Sequence, residues 1–171
     1  MKIFIILSIL SSFIFADSNF FGGKTGVKPV NNEIYKKECS ACHFAYQPGL
    51  LPANSWNKMM SNLENHFNTD ATLAEEDFKI IKDYLNKNSA EKAMQYKRSS
   101  RIVNSIKKGS VPESISKTPY ILWKHDEIRP SLIKQEEVKG IFNCVACHTT
   151  AEKGIYSERD IIIPNFGRWD D

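Results

Sequence analysis

The sequence predicts a mainly α-helical protein in two unequal parts, and three observations carry that prediction. No window shows the sustained apolar–polar alternation of a half-buried strand, so little or no sheet is expected. Apolar residues recur instead at the 3.6-residue period along residues 55–67 and 75–88. Between residues 89 and 117 that pattern stops: Lys92, Lys97, Arg98, Arg101, Lys107 and Lys108 face only Glu91 and Glu113, and Gly109 and Pro112 interrupt any long helix.

Residues 1–16 read as a removable export signal. Met1-Lys2 precedes an apolar run from Ile3 to Phe15 broken only by serines, and Ala16 stands before the polar Asp17. The run is shorter than the roughly 20 residues a bilayer span needs. An uncleaved anchor is the alternative, since Ile14 occupies the −3 position where alanine is preferred. No later stretch is apolar enough to span, so no stable membrane insertion is expected after cleavage. The mature chain keeps 22 basic against 20 acidic residues, too even a balance for a nucleic-acid footprint.

Residues 17–90 form the predicted N-terminal domain. Its lead-in, residues 17–31, is rich in Gly, Asn and Ser and has no periodicity. The run NEIYKKECSACH from Asn32 has helical character. FAYQPGLLPAN then holds two prolines and a glycine, which predicts a loop that packs its leucines inward. A second helix is expected from an Asn54 or Ser55 cap to about Phe67, with Trp56, Met59, Met60, Leu63 and Phe67 on one face beside His66. Thr72-Leu73-Ala74-Glu75 reads as a capping box for a third helix through Phe78, Ile81 and Leu85 to about Asn88.

Residues 91–117 read as a basic connector, and residues 118–171 as a small C-terminal domain. There Thr118-Pro119 predicts a helix start with Ile121, His125 and Ile128 on one face, ended by Pro130. A last helix is expected over Ile141–Lys153, stopped by Gly154.

The cysteines carry the chemistry. All four lie in Cys39-Ser-Ala-Cys42-His43 and Cys144-Val-Ala-Cys147-His148, each the CxxCH pattern of c-type haem attachment. On a helix, positions i, i+3 and i+4 share a face, so two thiols reach the vinyl groups while the neighbouring imidazole reaches the iron. Two disulfides, a redox CxxC or a zinc site are the competing readings. A zinc ribbon sets its cysteine pairs about 15–20 residues apart and a redox CxxC wants a βαβ context, and neither needs His after both pairs. Two covalently bound haem c groups are therefore expected.

Each iron then seeks a sixth ligand. Beyond His43 and His148 only His66 and His125 remain, each 23 residues from the nearer attachment histidine but in reversed order in the second half. That reversal argues against a tandem duplication. Met59, Met60 and Met94 are the alternative ligands, although helix packing already explains the first two. Bis-histidine ligation is preferred at both irons, His43 with His66 and His148 with His125, and a crossed pairing is the alternative. Trp56, Trp123 and Trp169 read as core or haem packing rather than as tunnelling residues.

The N-terminal half resembles class I cytochrome c: an attachment helix, a Pro-containing loop, a ligand segment with His66 where the axial Met usually stands, and a closing amphipathic helix. CHFAYQPGLLPANSW, LENHF, TPYILWKH and the late CVACH followed by IIIP are similar to the dihaem cytochrome c family. The resemblance implies a class I-like N-terminal haem domain with a small, irregular helical C-terminal haem domain. It also implies bis-histidine irons at His43, His66, His125 and His148. The implied function is periplasmic electron transfer to or from another redox protein, with an oxygen-binding monohaem cytochrome c as one known kind of partner.

Cytochrome c4 fits less well, because the 23 residues after His148 cannot hold a second ligand loop and closing helix. The small dihaem subunit of periplasmic nitrate reductase is the second reading, although closer attachment motifs are expected there. An electron carrier rather than an enzyme is expected. A ligand-binding or peroxidase-like protein would follow if one axial histidine were missing.

Overall fold

The computed structural model describes residues 24–169, so the export signal lies outside the described residues. The chain is mainly helical. Six α-helices, several 3-10 turns and one hairpin of two-residue strands are the regular elements among the described residues.

Helix α1 (Glu33–Cys39) starts where the Asn32 side chain accepts the Tyr35 N–H at 2.8 Å. Tyr35 points inward, 2% exposed, and its hydroxyl donates to the Tyr46 carbonyl at 2.7 Å. The helix stops at Cys39, so Cys42 and His43 lie in the turn beyond it rather than on its face. Leu50 and Leu51 of the following loop are buried as expected, around a 3-10 turn at Pro48–Leu50. The indole N–H of Trp56 donates to the Pro48 carbonyl at 2.8 Å.

Helix α2 (Ala53–Met60) ends well before Phe67. The sequence SNLENHFNTD explains why, because Ser and Asn side chains bond nearby backbone and compete with the helix. Ser61 donates to the Lys58 carbonyl, and Asn65 accepts the Asn68 N–H. A 3-10 turn at Leu63–Asn65 leads to a tight hairpin in which His66 and Thr69 exchange backbone bonds of 2.8 and 3.1 Å. Phe67 and Asn68 adopt φ of 51° and 68° at its tip, leaving Phe67 exposed. His66 thus sits on a turn, not on a helix face.

Helix α3 (Glu75–Lys87) buries Ile81 and Leu85 against α1 and α2. Its expected capping box does not form: Thr72 turns to Asp70, which accepts both its N–H and its hydroxyl, and Ala74 occupies the cap. Glu75, Glu76 and Asp77 complement the helix dipole instead.

The basic stretch is built into the core. Helix α4 (Lys97–Ser105) buries Ser99 and Ile102, and packs on α5 (Pro119–Lys124) and on the Pro48–Leu50 turn. Pro130, expected only to end a helix, occupies the first turn of α6 (Pro130–Lys134), where its missing N–H costs nothing. The expected helix over Ile141–Lys153 is replaced by 3-10 turns at Cys144–Ala146 and Ala151–Lys153. Gly154 is the stop, with φ of 71°. Strands β1 (Ile162–Ile163) and β2 (Gly167–Arg168) pair antiparallel.

One hydrophobic cluster runs through both parts. Val27, Leu51, Trp56, Ile81 and Leu85 from the first half meet Ile102, Tyr120, Ala151 and Tyr156. The lead-in closes it, since the N–H groups of Gly26 and Val27 donate to the Gly154 carbonyl. No helix of the described residues is long and apolar enough to cross a membrane.

Candidate haem sites

The N-terminal site is assembled from the end of α1 and the hairpin after α2. Cys39 is the last residue of the helix, and Cys42 is exposed on the turn. His43 holds its Nδ1 2.8 Å from the Phe44 carbonyl, which orients the ring and directs Nε2 away. The Tyr46 ring packs on it at 4.7 Å. Across from it stands His66, with ring centroids 6.2 Å apart and planes at 37°. Partial burial, and then the neighbouring His43, hold the His66 pKa below the ordinary imidazole value.

The C-terminal site has the same parts from different elements. Cys144 opens a 3-10 turn, and the His148 N–H donates to the Cys144 carbonyl at 2.8 Å. The helical i, i+4 relation thus survives locally, although the helix does not. His125 caps α5, its Nδ1 2.7 Å from the Ile121 carbonyl. It faces His148 with ring centroids 6.1 Å apart and planes at 79°. Burial first, and then the charges of His125 and Arg98, push His148 down to about 4, so this imidazole is neutral at ordinary pH. His148 Nδ1 is buried without a hydrogen-bond partner, and its ring is oriented by packing against Tyr156 at 5.4 Å. A cavity lined by His125, Ile128, Ile141, Ile161, Ile163 and Trp169 opens beside the pair.

These residues fit a haem at each site. A first-row metal–imidazole bond is about 2.0–2.1 Å, and a ring nitrogen lies about 1.1–1.2 Å from its ring centre. Two imidazoles on one iron therefore have centroids about 6.2–6.6 Å apart, and both facing pairs stand at or within about 0.1 Å of the lower end of that range. None of the four cysteines is in a disulfide. Burial raises Cys39 to about 11 and Cys144 to about 12, so both are protonated until they react. No group of three or more His, Cys, Asp or Glu among the described residues could hold a lone metal ion, so the two CxxC pairs do not converge on a zinc site.

The alternative ligands differ in their surroundings. Met60 is buried in the core, Met59 packs against it, and Met94 is 41% exposed. Trp56 is core and Trp169 lines the C-terminal cavity, whereas Trp123 is 63% exposed beneath the Lys124 ammonium.

Sequence reasoning missed the groups that join the sites. The Tyr46 hydroxyl donates to the Phe142 carbonyl at 2.5 Å, two residues before Cys144, so one side chain touches both haem regions. Gln47, fully buried, accepts from the Tyr156 hydroxyl at 2.6 Å and donates to the Ala151 carbonyl at 2.7 Å. Nothing local in the sequence marks either residue, because their partners lie about a hundred positions away.

Residues 35–156, which include both attachment motifs, match the family Dihaem cytochrome c. The X-ray structure of a diheme cytochrome c from Shewanella baltica OS155 is 35% identical with a TM-score of 0.67, and the match covers 81% of this chain and 98% of that one. A diheme cytochrome c from Rhodobacter sphaeroides is 37% identical with a TM-score of 0.67, over 76% of this chain and all of the other. None of the curated proteins matches. The chain belongs to the dihaem cytochrome c family and has the cysteines, Cys39, Cys42, Cys144 and Cys147, for that family's two haem c groups.

Proposed function

We propose that the mature protein is a periplasmic one-electron relay to or from another redox protein, with His43 and His66 closing one iron and His125 and His148 the other. The observation that carries this reading is the two pairs of facing imidazoles, 6.2 and 6.1 Å between centroids. When bound, each haem supplies a reversible one-electron couple. Held by these four histidines, neither iron would keep an open position for dioxygen or peroxide, so the chemistry supplied would be electron transfer. Nδ1 contacts to the carbonyls of Phe44 and Ile121 hold His43 and His125 in the ligating orientation before any electron arrives, so little has to move when one does. Tyr46 and Gln47 keep the two attachment regions against each other, which favours exchange between them.

An oxygen-binding monohaem cytochrome c is the kind of partner the family resemblance suggests. Electron paramagnetic resonance of the oxidised protein tests the ligation: two low-spin bis-imidazole signals per chain are expected, and no Soret shift when the reduced protein meets carbon monoxide. His66→Ala and His125→Ala should each open one iron and bind one carbon monoxide per chain. A high-spin signal or stoichiometric carbon monoxide binding in the unaltered protein would replace the relay with a ligand-binding function.

A further inference from the structure

Arg98 stands in the basic stretch, yet its side chain turns inward. It is half-buried on α4, its backbone N–H donates to the Gly26 carbonyl at 2.9 Å, and Gly26 leaves no spare room beside its Cγ. The guanidinium donates to the Tyr120 hydroxyl at 2.8 Å and to the Tyr156 carbonyl. It also lies 5.8 Å from the centre of the Tyr156 ring, whose other neighbour is the His148 imidazole at 5.4 Å. One aromatic ring therefore contacts both the cation and a C-terminal axial candidate.

Neither acceptor carries a charge that would neutralise Arg98. The carboxylate that feels it, Glu158, is paired with Lys124 at 2.6 Å. Arg98 therefore places a cation one aromatic ring away from the His148 imidazole. The groups facing Cys42 and His43 across the neighbouring cleft are Glu136 and Glu137 with Lys139, an excess of negative charge.

We propose that Arg98 is a positioning charge that holds the iron between His125 and His148 at a higher reduction potential than the iron between His43 and His66. An electron that has entered the protein then rests at the C-terminal site. The physical reason is Coulombic. Reduction takes Fe(III) to Fe(II) by one electron with no bond made or broken, and a fixed cation in a medium of low dielectric disfavours the more positive state. Exchange within the chain is balanced, one iron oxidised as the other is reduced, with no proton required.

The proposal rests on the axial reading above, and one experiment separates the two. The 79° and 37° ring angles make the sites distinguishable by electron paramagnetic resonance. Nearly perpendicular imidazoles leave the iron dπ orbitals close in energy and give a strongly anisotropic low-spin signal, whereas rings nearer to parallel give a rhombic one. Potentiometric titration of the holoprotein followed by both signals is run for the unaltered chain, Arg98→Gln and Arg98→Lys. The anisotropic signal should titrate at the higher potential. In Arg98→Gln the reduced-to-oxidised ratio of that haem at its original midpoint should fall on the order of tenfold, equivalent to about 59 mV. The rhombic signal should stay, and Arg98→Lys should retain most of the original value. An unmoved anisotropic midpoint in Arg98→Gln, an equal fall in Arg98→Lys, or the reverse order in the unaltered protein overturns the role of Arg98 while leaving the ligation intact. A high-spin signal in the unaltered protein overturns the ligation itself, and the proposal with it.

Discussion

His43 and His125 each place Nδ1 against a backbone carbonyl, at 2.8 and 2.7 Å, while His148 relies on the Tyr156 ring. The orientation of His148 is therefore only as firm as the placement of Tyr156, and Gln47 secures that. Replacing Gln47 by Leu keeps the volume roughly but strands the Tyr156 hydroxyl in the interior, while the Ala151 carbonyl keeps the Gly154 N–H. A loss of about 1–3 kcal/mol in denaturant unfolding followed by circular dichroism is expected from the unpaired hydroxyl. A variant as stable as the parent would show that water replaces the amide there. The spare histidines were readable as ligand candidates because so few imidazoles exist in the chain. Gln47 and Arg98 were not, because a glutamine in a loop and an arginine in a basic run look solvated until their partners are known.

Elements here are short, and their ends are where the functional groups lie. Cys39 ends α1, His125 caps α5, and the Ala151–Lys153 turn after His148 ends at Gly154. Gly154 has φ of 71°, and a Cβ there would collide with the Val27 carbonyl oxygen. Gly154→Ala should cost about 2–4 kcal/mol, since strain and a backbone clash act together. It should also speed amide exchange at Gly26 and Val27, whose N–H groups bond to the residue 154 carbonyl. Unchanged exchange there would mean that the lead-in is held by other contacts. The stop at Gly154 was legible in the sequence, as were the starts at Asn32 and Pro119. The length of α2 was not, because the apolar spacing through Phe67 suits a helix while Ser61, Asn62, Asn65 and Asn68 favour turns. Local hydrogen bonding won.

At the scale of the whole molecule, the single core joins residues on both sides of the basic stretch. The C-terminal portion contributes helices of six and five residues and two-residue strands, too little regular structure to hold its own cavity closed. The haem bound there supplies the missing apolar surface. Cys144→Ala with Cys147→Ala should therefore yield a one-haem protein whose melting midpoint falls by about 10 °C or more, and the loss should extend to α4 in hydrogen exchange because Ile102 and Tyr156 share the core. A fall confined to residues beyond 118 would instead mark two independent units.

By itself the sequence determined the covalent chemistry and the helical class. Both depend on relations between residues three or four positions apart, which any reading of the chain exposes. Only the tertiary structure decided which imidazole stands opposite which, that the basic stretch carries a core helix, and that Arg98 turns toward the C-terminal pair. Those outcomes depend on groups 23 to 109 positions apart, brought together by burial of a shared apolar surface, and burial of that kind leaves no local period in the sequence.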